Sequence, residues 1–119
     1  MIGISTKLEA FAKSCRTAKE NGDTIPTLPE GLKDLSGANL SDMNLHEAQL
    51  HQVDLTNSNL SGTNLLRANL GYSNLENADL STSNLSDGIC FETKLTGVRF
   101  MHANLAHVEF TGADLSKSN

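Results

Sequence analysis

The chain has 119 residues, of which 38% are hydrophobic and only 4% aromatic, and it carries a formal net charge of −5 at pH 7. That is one domain's worth of chain, and its acidity argues against direct nucleic-acid binding, which needs clustered Lys and Arg to neutralise phosphates. No apolar run approaches the roughly 20 residues of a membrane span, and no charged n-region followed by an apolar core forms a signal peptide.

The first elements lie in residues 1–32. Thr6 followed three residues later by Glu9 has the form of a helix-opening capping box. Leu8, Phe11, Ala12 and Cys15 then recur at helical spacing and form one narrow apolar stripe. Lys13, Arg16 and Lys19 suit the end of a helix dipole, and Asn21-Gly22 supplies a stop. The pattern predicts an amphipathic helix over residues 6–20, about 22 Å long at 1.5 Å per residue. Its stripe would cover the open end of the repetitive array that begins near residue 33 or, in the alternative reading, dock on a partner. Asp23 to Lys33 holds both prolines and reads as an extended connector.

From residue 33 a different rule takes over. Every fifth position from Leu35 to Leu115 is apolar: seventeen positions, fourteen of them leucine, with Cys90, Phe100 and Phe110 as the others. The residue two before each of these centres is small or apolar except at the entry block, where it is Lys33; the residue one before is usually Asn or Asp, and the two after are mostly polar. A period of five fits neither a helix nor an ordinary strand. It fits a coil in which each block points two side chains inward and then turns, with Asn, Asp, Ser and Gly serving the turns through side-chain-to-backbone hydrogen bonds. Such self-similarity marks one small unit stacked many times.

Blocks such as SGANL, ENADL and TGADL give an A-(D/N)-L-x-x array that resembles the pentapeptide-repeat family over about residues 33–117. The resemblance implies an all-β solenoid: a right-handed quadrilateral β-helix of about four coils over residues 33–119, with the N-terminal helix and connector, residues 1–32, as its cap. It implies a non-enzymatic module for protein–protein interaction or scaffolding, with no cofactor. Relatives that mimic DNA and act on the type II topoisomerase gyrase supply an alternative reading, and targeting modules of bacterial effector proteins another. Acids here are interrupted, since Glu47 and Asp87 share an outward column with Arg67 and His107, and that disfavours DNA mimicry.

With four blocks per coil, residues twenty apart stack. Cys90 becomes a small core residue in the column of Leu50, Leu70 and Phe110, and not a nucleophile. Cys15 and Cys90 form no disulfide framework, so a reducing, cytoplasmic setting is expected, a secreted effector being the exception the family allows. His46 and His51 fall on adjacent faces of the first coil and His102 and His107 on the fourth, too dispersed for ligands about 2.1 Å from one zinc ion. No catalytic constellation emerges.

The informative residues are those that break the rule. Tyr72, Ile89 and Phe91 map to one outward face, with Met101 round the next corner and Leu66 on the neighbouring face. Together they form the candidate interaction surface for a protein partner or a second copy. The sequence ends two residues into a further block, which suggests a longer repeat protein or a homodimer through an uncovered final coil.

Overall fold

The computed structural model describes residues 31–119 together with Ala10, Phe11, Lys13 and Leu28. The helix expected over residues 6–20 lies mostly outside the described residues. Within it, Ala10, Phe11 and Lys13 are helical, and Phe11, 3% exposed, belongs to the same apolar cluster as the leucines of the repeat.

The repeat winds as a coil of twenty residues. Parallel bridges join each residue one before a centre to its counterpart one coil on, from Asp34–Asp54 through to Lys94–Asp114. The first coil spans residues 34–53, the second 54–73, the third 74–93 and the fourth 94–113, followed by the start of a fifth. The centres stack in four columns as the twenty-residue period requires. Leu45, Leu55, Leu60, Leu65, Leu75, Leu80, Leu85, Cys90 and Leu95 are all fully buried. Each buried leucine contributes about 1.5–3 kcal/mol before the entropy of ordering it. Phe100 and Phe110 in the fourth coil are half-buried against this core, as is Leu105, and Leu115 beyond them is 37% exposed.

Five residues suffice for a stable unit because of where their amides go. In the block around Leu60, Ser58 N–H closes a turn onto Leu55 C=O at 3.1 Å, and Asn59 N–H reaches back one coil to Ala38 C=O at 2.9 Å. Leu60 N–H and Gly62 N–H reach forward to Asp79 C=O and Ser81 C=O at 2.8 and 2.9 Å. That leaves Ser61 N–H, which no main-chain carbonyl takes; Asn59 Oδ1 accepts it at 3.0 Å. The Asn or Asp of each block is therefore the acceptor that completes the block's set of hydrogen bonds. The same bond recurs at Asp34, Asn39, Asn44, Asp54, Asn64, Asn69, Asn74, Asp79, Asn84, Asn104 and Asp114. Where a serine or threonine comes after the centre, its hydroxyl often donates to the same oxygen, as Ser36 does to Asp34 at 2.6 Å.

The turns impose a second requirement. The residue two after every centre has positive φ, between 53° and 72°, including Asp42, Glu47, Arg67, Tyr72, Thr82 and His107 as well as Gly37, Gly62, Gly97 and Gly112. Positive φ at the third turn position marks a type II turn, and here it aims the amide at the next coil, as Asp42 N–H does at Ser61 C=O, 2.8 Å away. Glycine fits this position without penalty; β-branched Thr82, at φ 58°, fits it worst. At Gly62 a side chain would also collide, because an added Cβ would stand 2.2 Å from Asp42 Oδ1.

These turns and hydrogen bonds can be tested by stability measurements. Thr82→Gly should raise the melting temperature by the equivalent of about 0.5–1 kcal/mol, the left-handed penalty of roughly 1–2 kcal/mol less the flexibility of glycine, whereas Gly62→Ala should lower it. Among inward hydroxyls, Ser83 Oγ donates to Leu80 C=O at 2.6 Å while Ser58 Oγ, equally buried, has no partner. Urea denaturation should find Ser83→Ala destabilising by about 0.5–1.5 kcal/mol and Ser58→Ala neutral or stabilising. The hydroxyl and amide of Ser36 hold the Asp34 carboxyl below its ordinary 3.8, and Ser116 and Ser81 act likewise on Asp114 and Asp79. Because these folded-state values are depressed, the stability they lend is complete above about pH 4 and is lost as pH falls through them. Replacing all three by Asn, which keeps the acceptor, should flatten the acid limb of a stability-versus-pH curve.

Candidate interaction surface

The residues just before the centre are Asn or Asp in most blocks, and the exceptions are Gln49, Ile89, Lys94, Arg99 and Glu109. Three of these exceptions, Gln49, Ile89 and Glu109, fall in one column, the one leading to Leu50, Leu70, Cys90 and Phe110, with Asn69 between them. None of the three makes the side-chain-to-amide bond of a regular block. Gln49 Oε1 is turned instead to Asn69, whose Nδ2 donates to it at 3.4 Å. Among the described residues the amides of His51, Phe91 and Thr111 consequently have no hydrogen-bond acceptor, while Gly71 N–H, between the first two, is held by Asn69 Oδ1 at 2.9 Å.

At this corner the surface is also hollowed. The residues just after the centres are His51, Gly71, Phe91 and Thr111, and Gly71 leaves a notch where its neighbours carry side chains. A Cβ at Gly71 would lie 3.1 Å from Asn69 Oδ1 and 3.7 Å from Phe91 C=O, so a side chain there would crowd Asn69 and Phe91. The result is a shallow groove of about 280 Å³ lined by His51, Asn69, Gly71, Tyr72, Ile89 and Phe91. Tyr72 is 65% exposed and Phe91 39%, and Tyr72 N–H donates to Phe91 C=O at 2.7 Å, which ties the second coil to the third beside the groove. Lys33 Nζ stands 3.5 Å from His51 C=O at the upper end.

Of the expected surface residues, the structure brings Tyr72, Ile89 and Phe91 together and leaves two out. Leu66 is half-buried at the adjacent corner, after Leu65. Met101, 55% exposed, comes after Phe100, whose column is two corners on from that of Cys90. It stands diagonally opposite the groove and not round the next corner. Sequence reasoning missed His51, Asn69 and Gly71. The signal that could have found them is the twenty-residue register, which places Gly71 between His51 and Phe91.

Other candidates behave as ordinary surface or core. His46 Nε2 is 3.0 Å from Glu47 Oε1, and Arg67 Nη1 is 3.7 Å from the same oxygen; Glu47 and Arg67 are more than half exposed, so the cluster carries small energetic weight. No group of three or more His, Cys, Asp or Glu among the described residues could hold a metal ion. Cys90 is fully buried, and burial pushes its thiol up to about 12 despite the hydroxyl of Thr93, so it carries no thiolate at neutral pH. Cys15 lies outside the described residues. No helix among the described residues is long and apolar enough to cross a membrane.

The family profile described as "Pentapeptide repeats (8 copies)" matches residues 34–62, 48–87 and 91–119, most of the chain. The chain belongs to the pentapeptide-repeat family. The matches of this family profile break at residues 88–90, the Gly88-Ile89-Cys90 interruption beside the groove. Similar solved pentapeptide-repeat proteins include HetL, involved in heterocyst differentiation regulation in the cyanobacterium Nostoc sp. strain PCC 7120. It is 32% identical over 67% of this chain and 39% of its own, with a TM-score of 0.38. Another is alr5209 from Nostoc PCC 7120, 35% identical over 70% of this chain and 64% of its own, with a TM-score of 0.42. The plasmid-mediated fluoroquinolone resistance protein QnrB1 is 18% identical over 71% of this chain and 61% of its own, with a TM-score of 0.43. The chain thus spans less than two thirds of the length of each. No curated protein matches the sequence. Pentapeptide-repeat proteins are right-handed β-helices and generally serve as non-catalytic structural or interaction modules.

The unfilled Phe91 amide has a direct test. Ile89→Asn restores the missing acceptor to Phe91 N–H and should stabilise the protein by about 0.5–1.5 kcal/mol in urea denaturation. Asn69→Ala, which removes the acceptor from Gly71, should cost a similar amount.

Proposed function

We propose that this chain is a non-enzymatic protein-interaction module, and that the corner formed by Tyr72, Ile89 and Phe91 is its binding face. The observation that supports this reading is the coincidence of three departures at one place. There the Asn/Asp rule fails, a glycine hollows the surface, and two aromatic side chains and an isoleucine stand outward where regular blocks carry polar residues. Elsewhere the outward positions are mostly Ser, Thr, Asn, Asp and scattered charges, and exposed apolar clusters of this kind are where partners dock. The interior of the repeat, by contrast, is filled with leucine.

In this reading the N-terminal segment, residues 1–32, caps the first coil; the burial of Phe11 among the repeat leucines supports that assignment. A cytoplasmic setting fits the buried, unreactive Cys90. DNA mimicry directed at gyrase is the weaker reading, because Arg67 and His107 interrupt the acids Glu47 and Asp87 in their column.

The test is site-specific photocrosslinking in the native host. A benzoylphenylalanine replacing Tyr72 should capture a discrete protein adduct, the same probe at Ser61 should not, and adding Phe91→Ser should abolish the adduct. Equal capture from both positions would overturn the assignment of the face. Light scattering of the purified protein reports whether the captured partner is a second copy, in which case Ile89→Ser with Phe91→Ser should reduce the mass.

A further inference from the structure

From the spacing of donors along the groove we infer that its occupant is a proline-rich segment of a partner protein in the polyproline II conformation; the inference rests on the interaction-face reading above and names the chemistry of the partner. The groove runs along the coil axis, because its lining residues come from the first three coils at one corner: His51, then Asn69, Gly71 and Tyr72, then Ile89 and Phe91. Among the described residues, three main-chain N–H groups of this column lack the acceptor that a regular block supplies; His51 and Phe91 line the groove, Thr111 lies one coil beyond its lining, and the Gly71 amide between the first two is already bonded to Asn69. Coils are joined by parallel bridges, so amides two coils apart are separated by about 9.6 Å at ~4.8 Å per step.

A polyproline II strand repeats every three residues at ~3.1 Å per residue, so its carbonyls on one side recur about every 9.3 Å. An extended β-strand, at ~3.3 Å per residue, presents carbonyls on one side roughly every 6.6 Å and misses the second donor. Chemistry points the same way as geometry. Proline offers a carbonyl and no N–H, so a proline-rich segment brings acceptors to a groove whose wall presents donors and leaves no donor of its own unpaired. The pyrrolidine rings find apolar and aromatic surface at Tyr72, Ile89 and Phe91, the kind of lining on which preformed polyproline II helices dock at low entropic cost. The Tyr72 hydroxyl, on a side chain 65% exposed, adds a further donor at the rim.

Titration of the full-length ¹⁵N-labelled protein with acetyl-(Pro-Pro-Ala)₄-amide tests this, with acetyl-(Gly-Ser-Ala)₄-amide as the flexible control. The expected result is saturable shifts of the His51 and Phe91 amide resonances with the proline peptide and none with the control. Ile89→Asn, which gives Phe91 N–H an internal acceptor and keeps the fold intact, should weaken binding at least fivefold. Phe91→Ser should abolish it. Shifts of equal size from both peptides, shifts confined to other faces, or undiminished binding by Ile89→Asn would each overturn the inference. So would the absence of any shift; if the Tyr72 crosslink still forms, the interaction face stands and the polyproline occupant falls. Concentration-dependent shifts of the same resonances without peptide would assign the groove to a second copy instead.

Discussion

The structure depends on one constraint: each block of five residues must place five amides, and the coil geometry offers main-chain acceptors for four. The fifth is met by a side chain of fixed length. Asn and Asp put their oxygen two residues along the chain, where the amide waits; Gln and Glu carry it one methylene too far, and Ile, Lys and Arg carry none. The five-residue period is thus a hydrogen-bonding period before it is a hydrophobic one. Leucine fills the axis, but the Asx oxygen closes the corner that brings the next leucine round to it.

Positive φ at each turn is the counterpart cost. Asn and Asp tolerate it, and glycine prefers it, but Arg67, Tyr72, Glu92 and Thr82 adopt it as well. They are held there because the ladder on either side fixes the direction of their amides, so a local preference yields to cooperative pairing between coils. The strain is distributed along the whole solenoid and does not by itself mark a site.

Much of this was legible in the sequence. The leucine lattice gave the coil, the twenty-residue register, the burial of Cys90 and the place of Phe100 and Phe110, because a strict period leaves few ways to wind the chain. Tyr72, Ile89 and Phe91 could be assigned to one face for the same reason. What was not legible was the groove. It is created by the absence of a side chain at Gly71, and glycine in a turn-rich repeat reads as an ordinary turn residue. Gly71 is not in the left-handed turn position, which belongs to Tyr72; its role shows only when His51 and Phe91 are stacked above and below it. Met101 was misplaced because exposure is visible in a repeat pattern, whereas a corner must be counted.

The four-column interior has a bearing on how the chain finds its own alignment. In a stack of equivalent blocks, sliding the chain by five residues sets leucine on leucine and Asn on Asn, and the energy hardly distinguishes the two arrangements. The centres that differ in size, Cys90, Phe100 and Phe110, all lie in the second half of the array and in two opposite columns. A five-residue slip moves each into a column otherwise built of leucine, trading a void for an overfilled layer. The irregular blocks therefore act as a key that selects one winding out of several near-equals, and the same key carries the groove.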